Sequence, residues 1–549
     1  MLRTFTLSVV VLLLGLCTGL TAQTRFIDPM FEVSAPTTDT FGQNIDVFLR
    51  GVNQLEVDVY EPADDTTTQL RPVVVMFPTG NFLIQYLNQG PYGSRRDSGL
   101  VAIMSELVTR GYVGMAAEYR TGWLPTAQDQ DVRTSTLLKA AYRGGQDAHT
   151  LARFLRKTVA EEGNPYQIDT SRIVFWGLGT GGYVTMTHAF LDDVEEILAD
   201  DRFYDVNDQP YVSQNMDSNP QGTLPAAMPD GSGGQVPTNI PNHVGYNSNV
   251  AMSVNAGGAL GDLDWMEGKE GEPLVVGFHS ASDPFAPFSI GDVIVPTTGD
   301  LVVDGVAGTE QIIEKANMLG LNDAIAAANT TDLPDMYSDL SVAVNARNEV
   351  YKSIVVDPDP DNVTGDEEYE LSHDNMYPFV YPGETFSSPY NWMDPAKVRA
   401  EITAFNSVTG QNINADFVIA GENMFNPNAT DAAAARTVVD TMIAYFVPRA
   451  YIGLDLANLS TSTEEVISNA TVGLDLFPNP TTAGFTVRVA ENLRIRQIDI
   501  FDINGRRVAQ ITGLGQSSYT IGRGDLPNGQ YIVQLRLDEG TTARKVMLR

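Results

Sequence analysis

Apolar runs and helical patterns alternate along residues 24–455. The stretches VVVMF, YVGMAAEYR, RIVFWG and PLVVGFHS are nearly continuous apolar runs, as in parallel strands buried on both faces. The segments between them, such as GLVAIMSELVTRG and LLKAAYRGGQDAHTLARFLRKTVAEEG, repeat apolar residues at helical spacing. This order predicts an α/β fold with a mostly parallel sheet and helices on both faces.

Two segments interrupt that rhythm. Residues 200–249 are rich in Pro, Gly, Asn and Asp, and residues 289–350 mix short strands with the helical pattern QIIEKANMLGLNDAIAAAN. Insertions of this length form lids over a site or simply pad a surface, and the sequence leaves both open.

The pattern changes again near the C-terminus. Residues 456–473 are rich in Ser, Thr, Asn and Glu, which is typical of a linker. In residues 474–549, stretches such as FTVRVA, IRQIDIFDI, YIVQLRL and ARKVML alternate apolar and polar positions between turns. This alternation predicts a small all-β sandwich domain.

The first residues have the features of a secretory signal. Arg3 precedes the apolar stretch LSVVVLLLGLC, and LTAQ offers cleavage after Ala22, so residues 1–22 are predicted to be a signal peptide. The only cysteine, Cys17, lies inside it, which excludes disulfides, thiolate metal sites and a cysteine nucleophile from the mature chain. No later apolar stretch is long enough to cross a membrane, so we expect full export.

Composition narrows the possible partners. The formal net charge is −35 and the isoelectric point is near 4.3. Nucleic acid is excluded as a partner, because phosphate binding needs a basic face. The acidity favours a well-solvated surface and says little about the substrate.

Four ordered motifs near the C-terminus carry a specific resemblance. LDLFPNPTTAGFTV, IDIFDINGRRV, LPNGQYIVQL and the terminal ARKVMLR resemble the C-terminal sorting domain of type IX secretion cargo from Bacteroidetes-like bacteria. The resemblance implies that residues 474–549 bind the type IX secretion machinery, followed by release or attachment at the outer cell surface. A sugar-binding accessory domain is the alternative, since strand pattern alone does not separate the two.

The larger domain resembles the α/β-hydrolase family, most closely its carboxylesterase and lipase-like branch, from about residue 55 to 450. RPVVVMFPTGNF stands where the family has a strand followed by HGGG, and LVTRGYVGMAAEYR resembles a stretch that ends in Tyr-Arg. YRGGQDAHTLARFLRK and YQIDTSRIVFWGLGTGG resemble the Arg-x-x-x-Asp helix and the approach to the nucleophile elbow. The resemblance implies an esterase-like scaffold with a pocket above the sheet.

The elbow departs from the family pattern at its apex. The usual G-x-S-x-G is replaced by residues 177–181, GLGTG, and the nucleophile position is Gly179, which has no side chain. Thr180 is adjacent and is a candidate substitute nucleophile. The alternative is that the glycines only let the strand and the helix approach closely.

The resemblance also implies positions for the other catalytic roles. FHSASDPFAPF places Asp283 at the family's acid position, and Asp283 is alternatively a turn residue before proline. His373 follows in the chain order that the family requires and is the candidate base, although the histidine loop also aligns with YPFVYPGETF, which has no histidine. In the oxyanion loop PTGN replaces HGGG, and Gly80 and Asn81 are the candidate amide donors.

One acidic stretch has the spacing of a calcium loop. In DPDPDNVTGDEE, Asp357, Asp359 and Asp361 alternate and Glu368 takes the twelfth position, as in an EF-hand. A solvated acidic loop is the alternative, since prolines interrupt the ligands. No other cofactor is predicted.

These observations leave three functions open. The first is a secreted, degenerate hydrolase fold that binds a small-molecule or polymeric ligand with little or no catalysis, because removal of a serine nucleophile costs on the order of 10⁶ in turnover. The second is an active carboxylesterase or lipase-like enzyme with an unidentified nucleophile, Asp283 and His373. The third is a surface structural protein built on the same scaffold.

Overall fold

The computed structural model describes residues 23–48, 51–295, 298–356, 369–381, 385–459, 469, 471–502, 507–512, 514–524, 526–537 and 540–549. The predicted signal peptide and the four predicted calcium ligands lie outside these ranges. The chain divides into two compact units, one of Met1–Thr67 and Arg71–Asn458 and one of Thr68–Leu70 and Leu459–Arg549.

The first unit is built on one large sheet with smaller hairpins beside it. Its strands are β1 (Thr37–Asp46), β2 (Gly51–Tyr60), β3 (Arg71–Phe77), β4 (Val113–Ala117), β5 (Ile168–Leu178), β6 (Ala226–Pro229), β7 (Gln235–Asn239), β8 (Met252–Ala256), β9 (Ala259–Leu260), β10 (Leu274–Ser280), β11 (Ile290–Ile294), β12 (Leu301–Gly308), β13 (Val355–Val356), β14 (Tyr369–Glu370) and β15 (Met376–Phe379).

Eight of these strands form the large sheet, in the order β1-β2-β4-β3-β5-β8-β10-β15. β1 and β2 pair antiparallel, β2 pairs antiparallel with β4, and every pairing from β4 to β15 is parallel. Every residue of β3 is buried, as its unbroken apolar sequence predicts.

Helices cover both faces of this sheet. The helices of the first unit are α1 (Ser98–Thr109), α2 (Gln130–Glu161), α3 (Thr180–Phe190), α4 (Val194–Leu198), α5 (Gln214–Asp217), α6 (Thr309–Met318), α7 (Asp339–Lys352), α8 (Pro395–Thr409), α9 (Ala415–Phe425) and α10 (Ala432–Gly453), and not all of them lie on the sheet.

Two neighbouring residues of β5 show the two faces. The Phe175 ring lies 4.7 Å from the His188 ring of α3, and the Trp176 ring lies 4.7 Å from the Phe446 ring of α10. Successive side chains of a strand point to opposite faces, so α3 and α10 cover opposite sides of the sheet. The predicted mostly parallel sheet with helices on both faces is therefore confirmed.

A buried ion pair anchors the chain after β4 to α2. Arg120 Nε lies 2.9 Å from Asp147 Oδ1, and the Arg120 amide donates to Asp147 Oδ2 over 2.8 Å. Both side chains are almost fully buried. These residues belong to the Tyr-Arg and Arg-x-x-x-Asp stretches, and the pair holds the loop that carries Tyr119 in place.

Both predicted insertions contain ordered structure. Residues 200–249 include α5 and the antiparallel β6–β7 hairpin. Residues 289–350 begin with the antiparallel β11–β12 hairpin, and β12 also pairs with β9. The second insertion is therefore joined, through β12, to β9, the short strand that follows β8 of the large sheet.

The second unit is all-β. Its strands are β16 (Asp475–Phe477), β17 (Gly484–Arg488), β18 (Ile495–Asp502), β19 (Arg507–Ile511), β20 (Ser518–Gly522), β21 (Gly529–Leu537) and β22 (Gly540–Leu548). They form two antiparallel sheets, β16-β17-β20 and β19-β18-β21-β22, around one apolar core. The predicted small all-β domain is thus confirmed.

None of the helices among the described residues combines the length and the apolar character that a membrane-spanning helix requires.

Candidate active site

The turn between β5 and α3 has the backbone of a nucleophile elbow. β5 ends at Leu178, α3 begins at Thr180, and Gly179 between them has φ 52° and ψ −119°. Residues other than glycine rarely adopt these backbone angles, which mark a strained turn at the apex. The Gly179 amide donates to Ala256 O of β8 over 2.8 Å, which fixes the apex against the neighbouring strand.

The glycines on either side of the apex allow a very close approach of the strand and the helix. A Cβ on Gly177 would lie 2.1 Å from Gly181 O, and a Cβ on Gly181 would lie 2.2 Å from Phe77 O. Both obstacles are backbone atoms that cannot move aside. These glycines are therefore required by packing, whatever the turn does chemically.

The space in front of the apex is occupied by Thr79. A Cβ on Gly179 would lie 2.3 Å from Thr79 Oγ1 and 2.9 Å from Thr79 Cβ. Thr79 belongs to the PTGN loop after β3. A side chain at position 179 would collide with Thr79 unless the threonine moved, so the opposite loop places a hydroxyl directly at the apex.

The hydroxyl of Thr180, the candidate substitute nucleophile, is hydrogen-bonded to the phenol of Tyr119. Thr180 Oγ1 lies 3.1 Å from Tyr119 Oη, and Tyr119 Oη donates to Pro78 O over 2.8 Å. Thr180 is therefore the donor to Tyr119. Burial raises the pKa of Tyr119, so this phenol is neutral and does not act as a base for Thr180.

The candidate oxyanion loop lies beside the same turn. Gly80 and Asn81 have φ values of 134° and 56°, and Gly80 O accepts from the Leu83 amide over 3.0 Å. A Cβ on Gly80 would lie 2.9 Å from Gly93 Cα. The loop is tightly folded, and the role of its amides as oxyanion donors stays a prediction.

Asp283, the candidate acid, lies in the loop after β10 and near the elbow. A Cβ on Gly257, next to the residue that accepts from Gly179, would lie 3.8 Å from Asp283 Oδ2. The Phe285 amide donates to Asp283 Oδ1 over 2.8 Å, and Ser387 Oγ donates to Oδ2 over 2.7 Å. Burial raises the pKa of Asp283 to about 7, although these hydrogen bonds and the Ala286 amide act to lower it.

The structure does not bring His373 to Asp283. His373 precedes β15, which runs parallel to β10, whereas Asp283 follows the carboxyl end of β10. The two residues therefore belong to opposite ends of neighbouring strands. His373 Nε2 instead lies 2.5 Å from Glu310 Oε1 of α6. The predicted pairing of a His373 base with an Asp283 acid is corrected on this point.

Ser387 stands where the alternative alignment put the histidine loop. YPFVYPGETF covers β15 and the loop after it, and Ser387 directly follows this stretch. A serine hydroxyl donates one hydrogen bond to the carboxylate but does not accept a proton from a nucleophile near neutral pH. Among the described residues, the partner of Asp283 at this position is thus not a general base.

His279 is the histidine that does approach Asp283. Its Nε2 lies 3.8 Å from Asp283 Oδ2, and its Nδ1 lies 2.7 Å from Thr309 Oγ1. Burial lowers the pKa of His279 to about 4, so the ring is neutral. Its Nδ1 binds Thr309, whereas the 3.8 Å between Nε2 and Asp283 is too long for a hydrogen bond, so the structure does not join this histidine and Asp283 as a base and its acid.

Sequence reasoning missed Thr79 and Ser387. Thr79 had a signal, because it stands inside the loop that departs from HGGG. Ser387 had none, since single serines are common in loops and only the folded chain places this one on Asp283.

A cavity lies between helices α2 and α3 and the two insertions. Its enclosed volume is about 50 Å³. Its lining is almost entirely apolar and includes Tyr183 of α3, Phe203 and Val212 of the first insertion, Val303 of the second, and Trp265. Tyr183 lies in the first turn of α3, directly after the elbow. The insertions therefore enclose space beside the candidate active site.

One cluster of side chains has the composition of a metal site. Glu310, Glu314 and His373 each offer a ligand atom, and these atoms lie within 4.8 Å of one another. Burial lowers the pKa of His373, but the hydrogen bond and charge of Glu310, with Glu314 and Glu370, outweigh it and raise the pKa above its usual value. The predicted calcium ligands lie outside the described residues, so that site stays a prediction.

Comparisons with known proteins concern the two units differently. The chain is similar to solved structures of esterase 2 from the planctomycete Thermogutta terrifontis. The native enzyme is 18% identical over 46% of this chain and 73% of that chain, with a TM-score of 0.26. The form phosphorylated by paraoxon is 18% identical over 46% and 73%, with a TM-score of 0.25. At this level the likeness does not bear on activity.

No curated protein matches the chain. Residues 475–549 match the family model of the secretion system C-terminal sorting domain. This match covers the second unit from β16 onward. Residues 475–549 are therefore a type IX secretion sorting domain that directs the chain to the outer cell surface or the medium, and the first unit is an α/β fold with a mostly parallel sheet.

Proposed function

We propose that the first unit is a degenerate hydrolase fold that binds an apolar ligand without hydrolysing it. One observation carries the proposal. The elbow apex is Gly179, and the space where its side chain would stand is filled by Thr79, 2.3 Å from a Cβ built at the apex. A nucleophile must project from the apex into open space, and here neither the side chain nor the space is present.

The acid end supports the same conclusion. Asp283 is held by Ser387 and by backbone amides, and these partners do not transfer protons at neutral pH. A serine-type mechanism needs a base between the acid and the nucleophile. The groups hydrogen-bonded to Asp283 among the described residues include no base, and His279 stands 3.8 Å away, beyond hydrogen-bond distance.

The lining of the cavity supports binding. Its enclosed volume is about 50 Å³, below the range of about 300–1,000 Å³ that small-molecule sites span, so the two insertions must move apart when a ligand enters. The lining is almost entirely apolar and includes Tyr183 of α3. A medium-chain aliphatic compound has the matching chemistry, because burial of apolar surface is the main favourable contribution to the binding free energy that this lining provides.

Hydrolysis is the first test. The secreted chain should hydrolyse nitrophenyl acetate and nitrophenyl butyrate no faster than buffer does, and Asp283→Asn should leave that rate unchanged. Turnover that rises with protein concentration and is abolished by Asp283→Asn would establish the alternative, an active ester hydrolase.

Ligand binding is the second test. Trp265 lines the cavity, so decanoate should change the tryptophan fluorescence, and Trp265→Phe should remove most of that change. Ala141→Phe fills the cavity and should abolish binding, whereas Ala404→Phe, at an exposed position of α8, should bind as wild type does. Equal binding by the Ala141→Phe variant would show that the cavity is not the site.

A further inference from the structure

Helix α6 presents two carboxylates, one turn apart, to a single histidine. Glu310 and Glu314 are four residues apart and therefore share one face of the helix. His373, just before β15, completes the cluster, with the three ligand atoms within 4.8 Å of one another. This cluster is separate from the elbow.

Negative charge is in excess at this place. Glu310 is only 1% exposed, and a buried carboxylate requires a partner of opposite charge. Among the ion pairs of the described residues, Glu310 pairs with His373. The lysines of neighbouring segments bind elsewhere, Lys315 to Asp264, and Lys352 to Glu349 and Asp374.

Outer contacts orient two of the three groups. Ser289 Oγ and Gln311 Nε2 lie 2.8 Å and 2.7 Å from Glu310 Oε2, which leaves Oε1 facing the cluster. Glu370 Oε2 lies 3.8 Å from the other ring nitrogen of His373, Nδ1. His373 Nε2 donates to Glu310 Oε1, so a metal at this place would take the position of that proton. Outer carboxylates near a histidine are typical around ligated metals.

We propose that Glu310, Glu314 and His373 bind one Zn²⁺ ion, with the fourth position left to water or a ligand. Zinc binds imidazole nitrogen and carboxylate oxygen at about 2.0–2.2 Å, so tetrahedral ligands stand about 3.4 Å apart. Separations of 4.8 Å or less reach this with small side-chain rotations. The imidazole selects against Ca²⁺ and Mg²⁺, which prefer oxygen ligands only.

Metal titration of the untagged, full-length secreted chain tests the proposal. The apo chain, prepared with a chelator, should bind one Zn²⁺ per chain in competition with a chromophoric chelator. Co²⁺ should bind at the same stoichiometry and give the intense visible absorption of a four-coordinate site.

Three variants locate the site. His373→Asn and Glu314→Gln each remove a ligand and should weaken Zn²⁺ binding by roughly 100-fold or more, while Glu370→Gln removes an outer contact and should weaken it by roughly 10-fold. Asp416→Asn removes an exposed carboxylate of α9 and should bind as wild type does. Thermal unfolding without metal checks that each variant folds.

The outcomes separate clearly. Stoichiometric binding that falls in the two ligand variants and not in Asp416→Asn supports the site. The proposal is overturned if the wild type binds no stoichiometric Zn²⁺ at roughly 10 micromolar, near the weak end of metal affinities in proteins. It is also overturned if His373→Asn binds Zn²⁺ with unchanged affinity. In either case Glu310 and His373 form an ordinary ion pair.

Discussion

The two ends of the candidate active site differ in what they contain. The elbow end has the backbone of a hydrolase turn, with φ 52° and ψ −119° at Gly179, and lacks the side chain. The acid end has the side chain, Asp283, which is hydrogen-bonded to Ser387 and lies 3.8 Å from His279 Nε2. Under the proposed function, neither end supplies what the other would need for catalysis.

This contrast separates folding requirements from chemical ones. The elbow backbone is demanded by packing, since Gly177 and Gly181 let β5, α3 and the end of β3 approach within distances that a Cβ would block. At the apex the obstacle to a side chain is the Thr79 side chain and not the backbone, and Ser387 lies in a loop, so backbone packing does not set these two positions. A scaffold therefore keeps its shape whether or not it supports a reaction.

Gly181→Ala is the strongest test of the claim that packing requires the elbow glycines. The added Cβ would stand 2.2 Å from Phe77 O, so we expect a loss of about 4 kcal/mol or more in unfolding free energy, measured by urea denaturation. Gly421→Ala in α9 is the matched control, because nothing lies within 4 Å of its Cβ, and it should gain up to about 1 kcal/mol. Equal stability of both variants would refute the packing argument.

The buried Asp283 carboxyl should make the free energy of unfolding depend on pH. The folded pKa of Asp283 is raised to about 7, so its contribution is complete below the unfolded pKa near 4 and is lost as pH rises towards 7. Between pH 5 and pH 7 this costs about 2 kcal/mol, and Asp283→Asn should flatten the wild-type slope by that amount.

Two further groups bear on that measurement. The pKa values of Asp97 and Glu422 are also raised to about 7 by burial, so part of the slope should survive in Asp283→Asn. His279, Tyr183 and Tyr390 face Asp283 and stay neutral over this range. An identical slope in wild type and variant would show that Asp283 does not titrate as the structure implies.

Gly179→Ser tests whether the two residues at the apex compete for space. The serine adopts a strained backbone and meets Thr79, so we expect about 2 kcal/mol of destabilisation. Adding Thr79→Gly should recover about 1 kcal/mol, read from a double-mutant cycle of urea midpoints. Strictly additive effects would mean that Thr79 moves aside freely.

The smallest effect belongs to Ser387→Ala. Its hydroxyl stabilises the ionised form of Asp283, so the variant should lose about 1 kcal/mol at pH 8 and less at pH 5. The pKa of Asp283 should rise further, because one of the groups that lower it is gone. A larger loss at pH 5 than at pH 8 would contradict this assignment.

The order of residues along the chain led to one wrong assignment and left other residues of the site unassigned. His373 satisfied the order of nucleophile, acid and base, yet it precedes β15 and therefore stands at the far end of that strand from Asp283. Thr79 and Asp283 are about 200 residues apart, and only the sheet order brings their loops to one edge. Glu310 had no motif at all.

The sequence by itself determined the fold class, the glycine at the elbow and the sorting domain. Apolar periodicity and local motifs carry these features, and both are properties of short stretches of chain. Only the tertiary structure decided which side chains meet: Thr79 at the apex, Ser387 on Asp283, and His373 with Glu310. Those contacts join residues distant in sequence, and their geometry depends on strand order and register, which no local pattern encodes.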